Sequence, residues 1–371
     1  MTRLRIDAHE RMVVKVGTAS LVGPDGEPDQ MRLEALCDEI ASLKTRNVQV
    51  VFVSSGAIAA GLGPLGLVVR PSDIPSLQAA AAVGQGRLLR RYSRHLRARG
   101  VVAAQMLLTR YDFMHRQQYL NARNTLDRLL ALDALPIVNE NDTVAVDEIR
   151  FGDNDRLAAL VANLARAKLL VLLTDAQGLH AADPRLEPNA PLLEEVDRIT
   201  PELERAAGGR GSDLATGGMA SKLAAAWVAT FSGVGVVVAH AGEPRVLHRI
   251  AEGESIGTYF HPHAKRASAR RLWIAFAQPP RGTVIVDDGA RRAVVEGKRS
   301  LLPAGVVHVD GRFDAGDTVD VADRLGAVFA RGLVRYASQE LVEARGRSTR
   351  ELAGREVIHR DQLIVLEGSQ A

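Results

Sequence analysis

Met12-Val13-Val14-Lys15-Val16-Gly17-Thr18-Ala19-Ser20 is a short apolar run broken by one lysine and closed by a glycine turn. The run reads as a buried strand. An ammonium inside such a strand is costly to desolvate unless a carboxylate or an anion meets it. A lysine at a sheet edge, reaching out to water, is the alternative. Composition weighs against the alternative, because only six of the 47 basic residues are lysines and arginine fills nearly every generic surface position. A compact ammonium on a flexible stem does different work from a planar guanidinium.

A second lysine stands in a related setting at Thr216-Gly217-Gly218-Met219-Ala220-Ser221-Lys222. Two glycines let the backbone approach an anion, the free amides of a first helical turn point at it, and the lysine adds a full charge. Met219, Leu223, Trp227 and Phe231 recur every fourth residue and predict a helix with that face buried. The loop lacks the full spacing of a Walker-type phosphate loop, so a plain helix cap is the competing reading.

Outward from these two stretches, apolar runs alternate with helical patterns as far as about residue 250. Strands are predicted at Val13 to Val16, Val48 to Val53, Val101 to Leu108, Leu135 to Val138, Leu169 to Leu173 and Val234 to Ala239. Helices are predicted at Met31 to Lys44, Ser76 to Arg97, Gln117 to Ala131, Asp155 to Ala165 and Gly217 to Phe231. Uninterrupted apolar strands separated by helices imply an α/β protein, a three-layer αβα sandwich around a mostly parallel sheet. Ligands then gather at the carboxyl ends of the strands.

Four polar clusters fall at those ends. They are Ser54-Ser55-Gly56, Asn139-Glu140-Asn141-Asp142, Gly152-Asp153-Asn154-Asp155, and Thr174-Asp175 followed by Gly178. Taken singly, Asp153 or Asn154 caps its helix and Asp175 makes a turn. Gathered together, the clusters supply acceptors for an ammonium, carboxylates for Mg²⁺ and two lysines for phosphates, which are the parts that phosphoryl transfer needs.

Other chemistries find no support. Gly61-Leu62-Gly63-Pro64-Leu65-Gly66 matches a dinucleotide fingerprint, but it follows a helical stretch and Pro64 removes a needed amide, so it reads as a surface loop. His180, His240, His261 and His263 lack metal-ligand spacing, and His261-Pro262-His263 reads as a linker feature. No Gly-x-Ser-x-Gly elbow is present. The single cysteine, Cys37, excludes an internal disulfide framework and falls in step with Leu33, Leu36, Ile40 and Leu43 on a core face. A net charge of +3 is no nucleic-acid footprint at this size. The N-terminal residues MTRLRIDAHE form no apolar signal segment and no run of eighteen apolar residues occurs, so a cytoplasmic protein without membrane contact is expected.

After Gly257 the alternation stops. Beyond Pro279-Pro280 come short strands with Gly and Asp turns, at Thr283 to Val286, Gly305 to Val309, Asp317 to Val321 and Ala327 to Val334, which suggest a small β-rich, barrel-like domain. From residue 279 onward 14 Lys and Arg face 14 Asp and Glu, so the tail has no basic excess for RNA, and the run Arg345, Arg347, Arg350 reads as a solvated loop.

The strings SSGAIAAG (54–61), QMLLTR (105–110), LNARNTL (120–126), NENDTVA (139–145), FGDND (151–155), LLTDAQGLHAADPR (172–185) and TGGMASK (216–222) resemble, nearly end to end, the glutamate 5-kinase family, amino-acid kinases with a C-terminal PUA domain. Ser54, where threonine is common, and Ala220 in the glycine loop are the departures. The resemblance implies a kinase domain over 1–262, a linker over 263–278 and a PUA domain over 279–371. It implies transfer of the γ-phosphoryl group of ATP, with Mg²⁺, to the side-chain carboxylate of L-glutamate. By the same resemblance Lys15 and Lys222 neutralise charge in transfer while Asp155 holds them. Ser55, Gly56, Asn139, Asp142, Asp153 and Asn154 contact glutamate. Lys15, Thr174, Asp175 and the loop Thr216, Gly217, Gly218, Met219, Ala220, Ser221, Lys222 contact ATP, and no protein residue is assigned to the metal, which the ATP phosphates carry. A homo-oligomer, feedback by L-proline and hand-off to a glutamyl phosphate reductase are also implied. The rivals are a sister kinase for acetylglutamate, aspartate or a nucleoside monophosphate, and an RNA-binding protein with a vestigial kinase domain.

Overall fold

The computed structural model describes residues 3–17, 20, 29–144, 154–200, 203, 218–263, 280–352 and 354–366. The chain divides into two compact units, Met1–Arg266 and Ala267–Ala371.

The strands of the first unit are β1 (Arg11–Val16), β2 (Gln49–Val53), β3 (Ala103–Leu108), β4 (Leu135–Glu140), β5 (Leu169–Thr174), β6 (Glu195–Val196), β7 (Gly235–His240) and β8 (Thr258–Phe260). They form one sheet in the order β3-β4-β2-β1-β5-β7-β8-β6. Every pairing is parallel except β7 with β8. The lysine-bearing strand β1 thus lies inside the sheet, with Lys15 between Val53 of β2 and Leu172 of β5. An edge-strand lysine is thereby ruled out.

Side chains alternate across a strand, and β1 sends its two sets to different layers. Met12, Val14 and Val16 join Leu33, Cys37 and Ile40 of the helix Gln30–Thr45, Leu77 and Tyr92 of the helix Ile74–Arg97, and Leu247 of the helix Val246–Ala251 in one core. Lys15 faces the opposite layer, where the helices Asn154–Leu164 and Met219–Phe231 pack on each other. This is the three-layer αβα arrangement, and Cys37 is core, its thiol pushed up to about 12 by burial.

Of the surface loop that the sequence suggests at Gly61 to Gly66, Gly63 to Gly66 are exposed, whereas Gly61 is buried. Gly61 and Leu62 complete the helix Ala57–Leu62, and Gly63–Leu65 form a single 3₁₀ turn. A β-carbon on Gly61 would fall 1.8 Å from the carbonyl oxygen of Ala80, and one on Gly84 would fall 1.7 Å from that of Ala57. The two helices therefore cross with their backbones in contact, which only glycine permits. The crossing seats the middle of the helix Ile74–Arg97 beside the end of β2.

Other differences have similar tertiary causes. Of the stripe predicted for the helix Met219–Phe231, Leu223 is buried, whereas Met219, Trp227 and Phe231 are only half-buried; the buried side is rich in small residues, Ser221, Ala225, Ala226 and Ala229, beside Lys222 and Val228. Small residues let a helix lie close to its neighbour, so the bulky stripe is displaced to the flank. The sheet also continues past Gly257. β8, only three residues long, pairs antiparallel with β7 and parallel with β6. His261 and His263 belong to the first unit, since His261 bonds Glu195 at 3.0 Å and His263 stacks on Phe231 with ring centroids 4.1 Å apart.

The second unit has its own core and a five-stranded sheet of β9 (Gly282–Val286), β10 (Val306–Gly311), β11 (Thr318–Ala322), β12 (Val328–Leu333) and β13 (Leu363–Val365), ordered β10-β9-β11-β12-β13. Val284, Val319, Val321, Phe329 and Leu341 are fully buried there. Asp320 and Arg331 pair across β11 and β12 at 2.7 Å. No helix of the described residues is long and apolar enough to cross a membrane.

Candidate active site

The carboxyl ends of β1, β2, β4 and β5 converge with the first turns of two helices. Asp155, fully buried in the first turn of the helix Asn154–Leu164, lies at the centre. Its Oδ1 is 2.5 Å from Nζ of Lys15 and its Oδ2 is 3.3 Å from Nζ of Lys222. Ser221 Oγ donates to the same Oδ2 at 3.0 Å. Both lysines are 4% exposed. Burial alone would push the Asp155 carboxyl up, but the ammoniums of Lys15 and Lys222 outweigh it and hold the group below the ordinary carboxylate range.

The residue before Asp155 opens a different environment. Asn154 Nδ2 donates to the main-chain carbonyl of Ser54 at 2.6 Å and to Asn139 Oδ1 at 2.7 Å. Asn139 Oδ1 also accepts from the amide of Glu140 at 2.9 Å, and Asn139 Nδ2 donates to Gln85 Oε1 at 2.6 Å. Ser54 in turn is tied to the sheet by its amide, which donates to the Val138 carbonyl oxygen at 2.9 Å, and its hydroxyl donates to Tyr92 Oη at 3.3 Å. Gly56 has φ +93° where the chain turns into the helix Ala57–Leu62, a conformation that suits glycine. Ser55, beside it, is buried.

On the far side of β1, Thr174 ends β5 and donates to Asp175 Oδ1 at 2.9 Å. The loop beyond is anchored where Leu179 donates its amide to Thr258 Oγ1 at 2.8 Å. Gly218 precedes the helix Met219–Phe231, whose first-turn amides of Met219, Ala220 and Ser221 have no intrahelical acceptor by geometry.

Among the sequence candidates, Lys15, Asp155, Ser221 and Lys222 thus form one cluster, and Asn139, Asn154 and the Ser54-Ser55-Gly56 turn form a second beside it. Asp142 lies in the turn just after β4. Thr174 and Asp175 end the strand next to β1. Asp153, Thr216 and Gly217 lie outside the described residues. Gln85 and Tyr92 escaped the sequence reading. Gln85 flanks the buried stripe of its helix and reads as any half-exposed polar residue, and Tyr92 reads as core. No group of three or more His, Cys, Asp or Glu among the described residues converges to hold a metal.

The amino acid kinase family model matches residues 10–240, and the PUA domain model matches residues 282–354. A glutamate 5-kinase of Citrifermentans bemidjiense is 48% identical over 364 residues, covering 96% of this chain and 98% of the relative. One of Thermobifida fusca is 49% identical over 377 residues, covering 98% of this chain and 95% of the relative. One of Streptomyces coelicolor is 48% identical over 372 residues, covering 98% of each.

Proposed function

Because the chain belongs to the amino acid kinase family, among its glutamate 5-kinases, we propose that it transfers the γ-phosphoryl group of ATP to the side-chain carboxylate of L-glutamate, the first step of proline biosynthesis. The products are L-glutamyl 5-phosphate and ADP. The observation that carries the reading is the buried Lys15–Asp155–Lys222 cluster at the strand ends, directly beside a neutral amide network.

A carboxylate nucleophile is already ionised at neutral pH, so no general base is required. Asp155 is not one. Its carboxyl is committed to two ammoniums, and it serves to hold them in place. Lys15 and Lys222 meet the negative charge on the transferred group and on the bridging oxygen, each worth about 3 kcal/mol by analogy with oxyanion donors. The first-turn amides of Met219, Ala220 and Ser221, with Gly218 before them, add donors to the nucleotide phosphates, together with Thr216 and Gly217. Thr174 and Asp175 complete the ATP side. Ser55, Gly56, Asn139, Asp142, Asp153 and Asn154 hold glutamate, with Asp142 a partner for its ammonium. Mg²⁺ would arrive with ATP and neutralise its phosphates. The described residues present no converging His, Cys, Asp or Glu set for it.

In the same proposal residues 1–262 perform the chemistry and the PUA domain, 279–371, modulates it, with a homo-oligomer, feedback by L-proline and hand-off of the acyl phosphate to a reductase as its setting. The test is a hydroxylamine trap with ATP and Mg²⁺, since only an acyl phosphate yields a hydroxamate. L-glutamate should give product and N-acetylglutamate only background, because Asp142 would face a neutral amide. Comparable turnover of both would overturn the assignment.

A further inference from the structure

Resting on that reading, we propose that Gln85 is a positioning residue that completes the amide relay whose orientation the Ser54 carbonyl and the Glu140 amide dictate, holding Asn139 and through it Asn154 in place, so that Asn154 offers the substrate only a carbonyl oxygen and selects an ammonium. The relay runs from main chain to main chain, which removes the usual ambiguity between amide oxygen and nitrogen. The carbonyl of Ser54 only accepts, so the Asn154 atom 2.6 Å from it is Nδ2. The amide of Glu140 only donates, so the Asn139 atom 2.9 Å from it is Oδ1. Asn139 Oδ1 then takes the second proton of Asn154 Nδ2 at 2.7 Å. That leaves Asn139 Nδ2 to donate, and the acceptor 2.6 Å away is Gln85 Oε1.

Two consequences follow from counting protons. Asn154 has both amide protons engaged by the protein, so its remaining hydrogen-bonding capacity is the two lone pairs of Oδ1, which take a donor and reject a carboxylate. An α-ammonium supplies such a donor with a full charge, whereas glutarate, the same diacid without nitrogen, supplies none. Asn139 is 2% exposed, and without the Gln85 oxygen its Nδ2 would lose its acceptor. Turning the Asn139 amide over would not help, because its nitrogen would then face two donors, the Glu140 amide and Asn154 Nδ2. Gln85 acts at one remove from the substrate, from a helix seated by the Gly61–Gly84 crossing.

The experiment is steady-state kinetics by the hydroxamate assay on the full chain, with Gln85→Met and Gln85→Glu beside the wild type. Methionine keeps the length and loses the acceptor, while glutamate keeps an oxygen where Asn139 Nδ2 needs one. Gln85→Met should raise the KM for L-glutamate by about tenfold or more, the scale of a lost hydrogen bond to a charged group. Its kcat and its KM for ATP should stay within about twofold, and its preference for L-glutamate over glutarate should shrink by a similar factor. Gln85→Glu should recover most of the KM and the preference. An unchanged KM and preference in Gln85→Met would overturn the proposal. So would a Gln85→Glu variant as impaired as Gln85→Met, or a uniform loss of kcat and both KM values, which marks a merely structural residue. A wild-type protein that forms no hydroxamate from L-glutamate would instead overturn the proposed function.

Discussion

Asn154 and Asp155 are neighbours in one helical turn, yet they organise opposite kinds of environment. Asp155 gathers charge, with two ammoniums and a hydroxyl on one buried carboxylate. Asn154 gathers direction, with neutral amides whose donors and acceptors are matched in sequence from Gln85 to Ser54. The difference shows how a single helix start serves two tasks. Charge suits a group whose own charge moves during reaction, because Coulomb energy tracks it through the barrier. Matched amides suit a group that has only to be recognised, because their preference for donors over acceptors does not alter as the phosphoryl group moves. Breaking the first should cost stability and rate together, and breaking the second should cost affinity.

The largest effect is expected from Asp155→Asn. Removing the carboxylate leaves two ammoniums buried, and disruptions of this type cost about 3–5 kcal/mol. The melting temperature should fall by roughly 10 °C, and the hydroxamate assay should show a kcat near background. The same variant gives a pH test. The Asp155 carboxyl is depressed below its ordinary value, so its contribution to stability is complete above the unfolded pKa of about 3.9 and is lost as pH falls through the lower folded value. Chemical denaturation should thus show the wild type losing stability more steeply than Asp155→Asn below about pH 4. Parallel curves would mean that the cluster does not stabilise the fold.

Next in size is Lys222→Ala, with kcat lowered by roughly 10²–10³ and the glutamate KM nearly unchanged, as for a contact that strengthens in the transition state. Steady-state kinetics showing the reverse, a raised KM at constant kcat, would erase the distinction between the two regions. Asn154→Leu sharpens it from the other side. It should raise the glutamate KM by about tenfold to a hundredfold, the cost of removing one charged hydrogen bond to the substrate's ammonium while Asp142 keeps the other, and leave the KM for ATP within a few-fold. An equal rise in both KM values would place Asn154 in both sites. The smallest effect is expected from ending the chain after Gln278. Both regions lie within the first unit, which has its own core, so hydroxamate formation should persist at a rate within a few-fold of the full chain. A folded truncation, verified by circular dichroism, with no activity would give the second unit a part in the chemistry.

Much of this site was legible in residues. The alternation of apolar strands and helices placed β1, β2, β4 and β5 nearly to their ends, and of the polar residues at those ends Ser54 and Asn139 meet Asn154. Lys15 was conspicuous because a charge in an apolar run demands a partner. Gln85 was not, since its role depends on which loop lies across from its helix. The Gly61–Gly84 crossing was hidden for the same reason, and it even mimicked a nucleotide fingerprint. Trp227 and Phe231 misled because periodicity reports a stripe of bulk, whereas close packing here favoured the alanine side.

By itself the sequence determined the layer architecture, the position of the two lysines at strand and helix ends, and, through its strings, the family. Those properties live in local periods and short motifs, which survive without knowledge of distance. Only the tertiary structure decided which oxygen of Asp155 meets each lysine, that Asn154 would spend its amide protons on Ser54 and Asn139, and that Gln85 would accept from the amide beside it. Each of those depends on groups far apart in the chain meeting within about 3 Å, the range in which a hydrogen bond or ion pair acquires its direction.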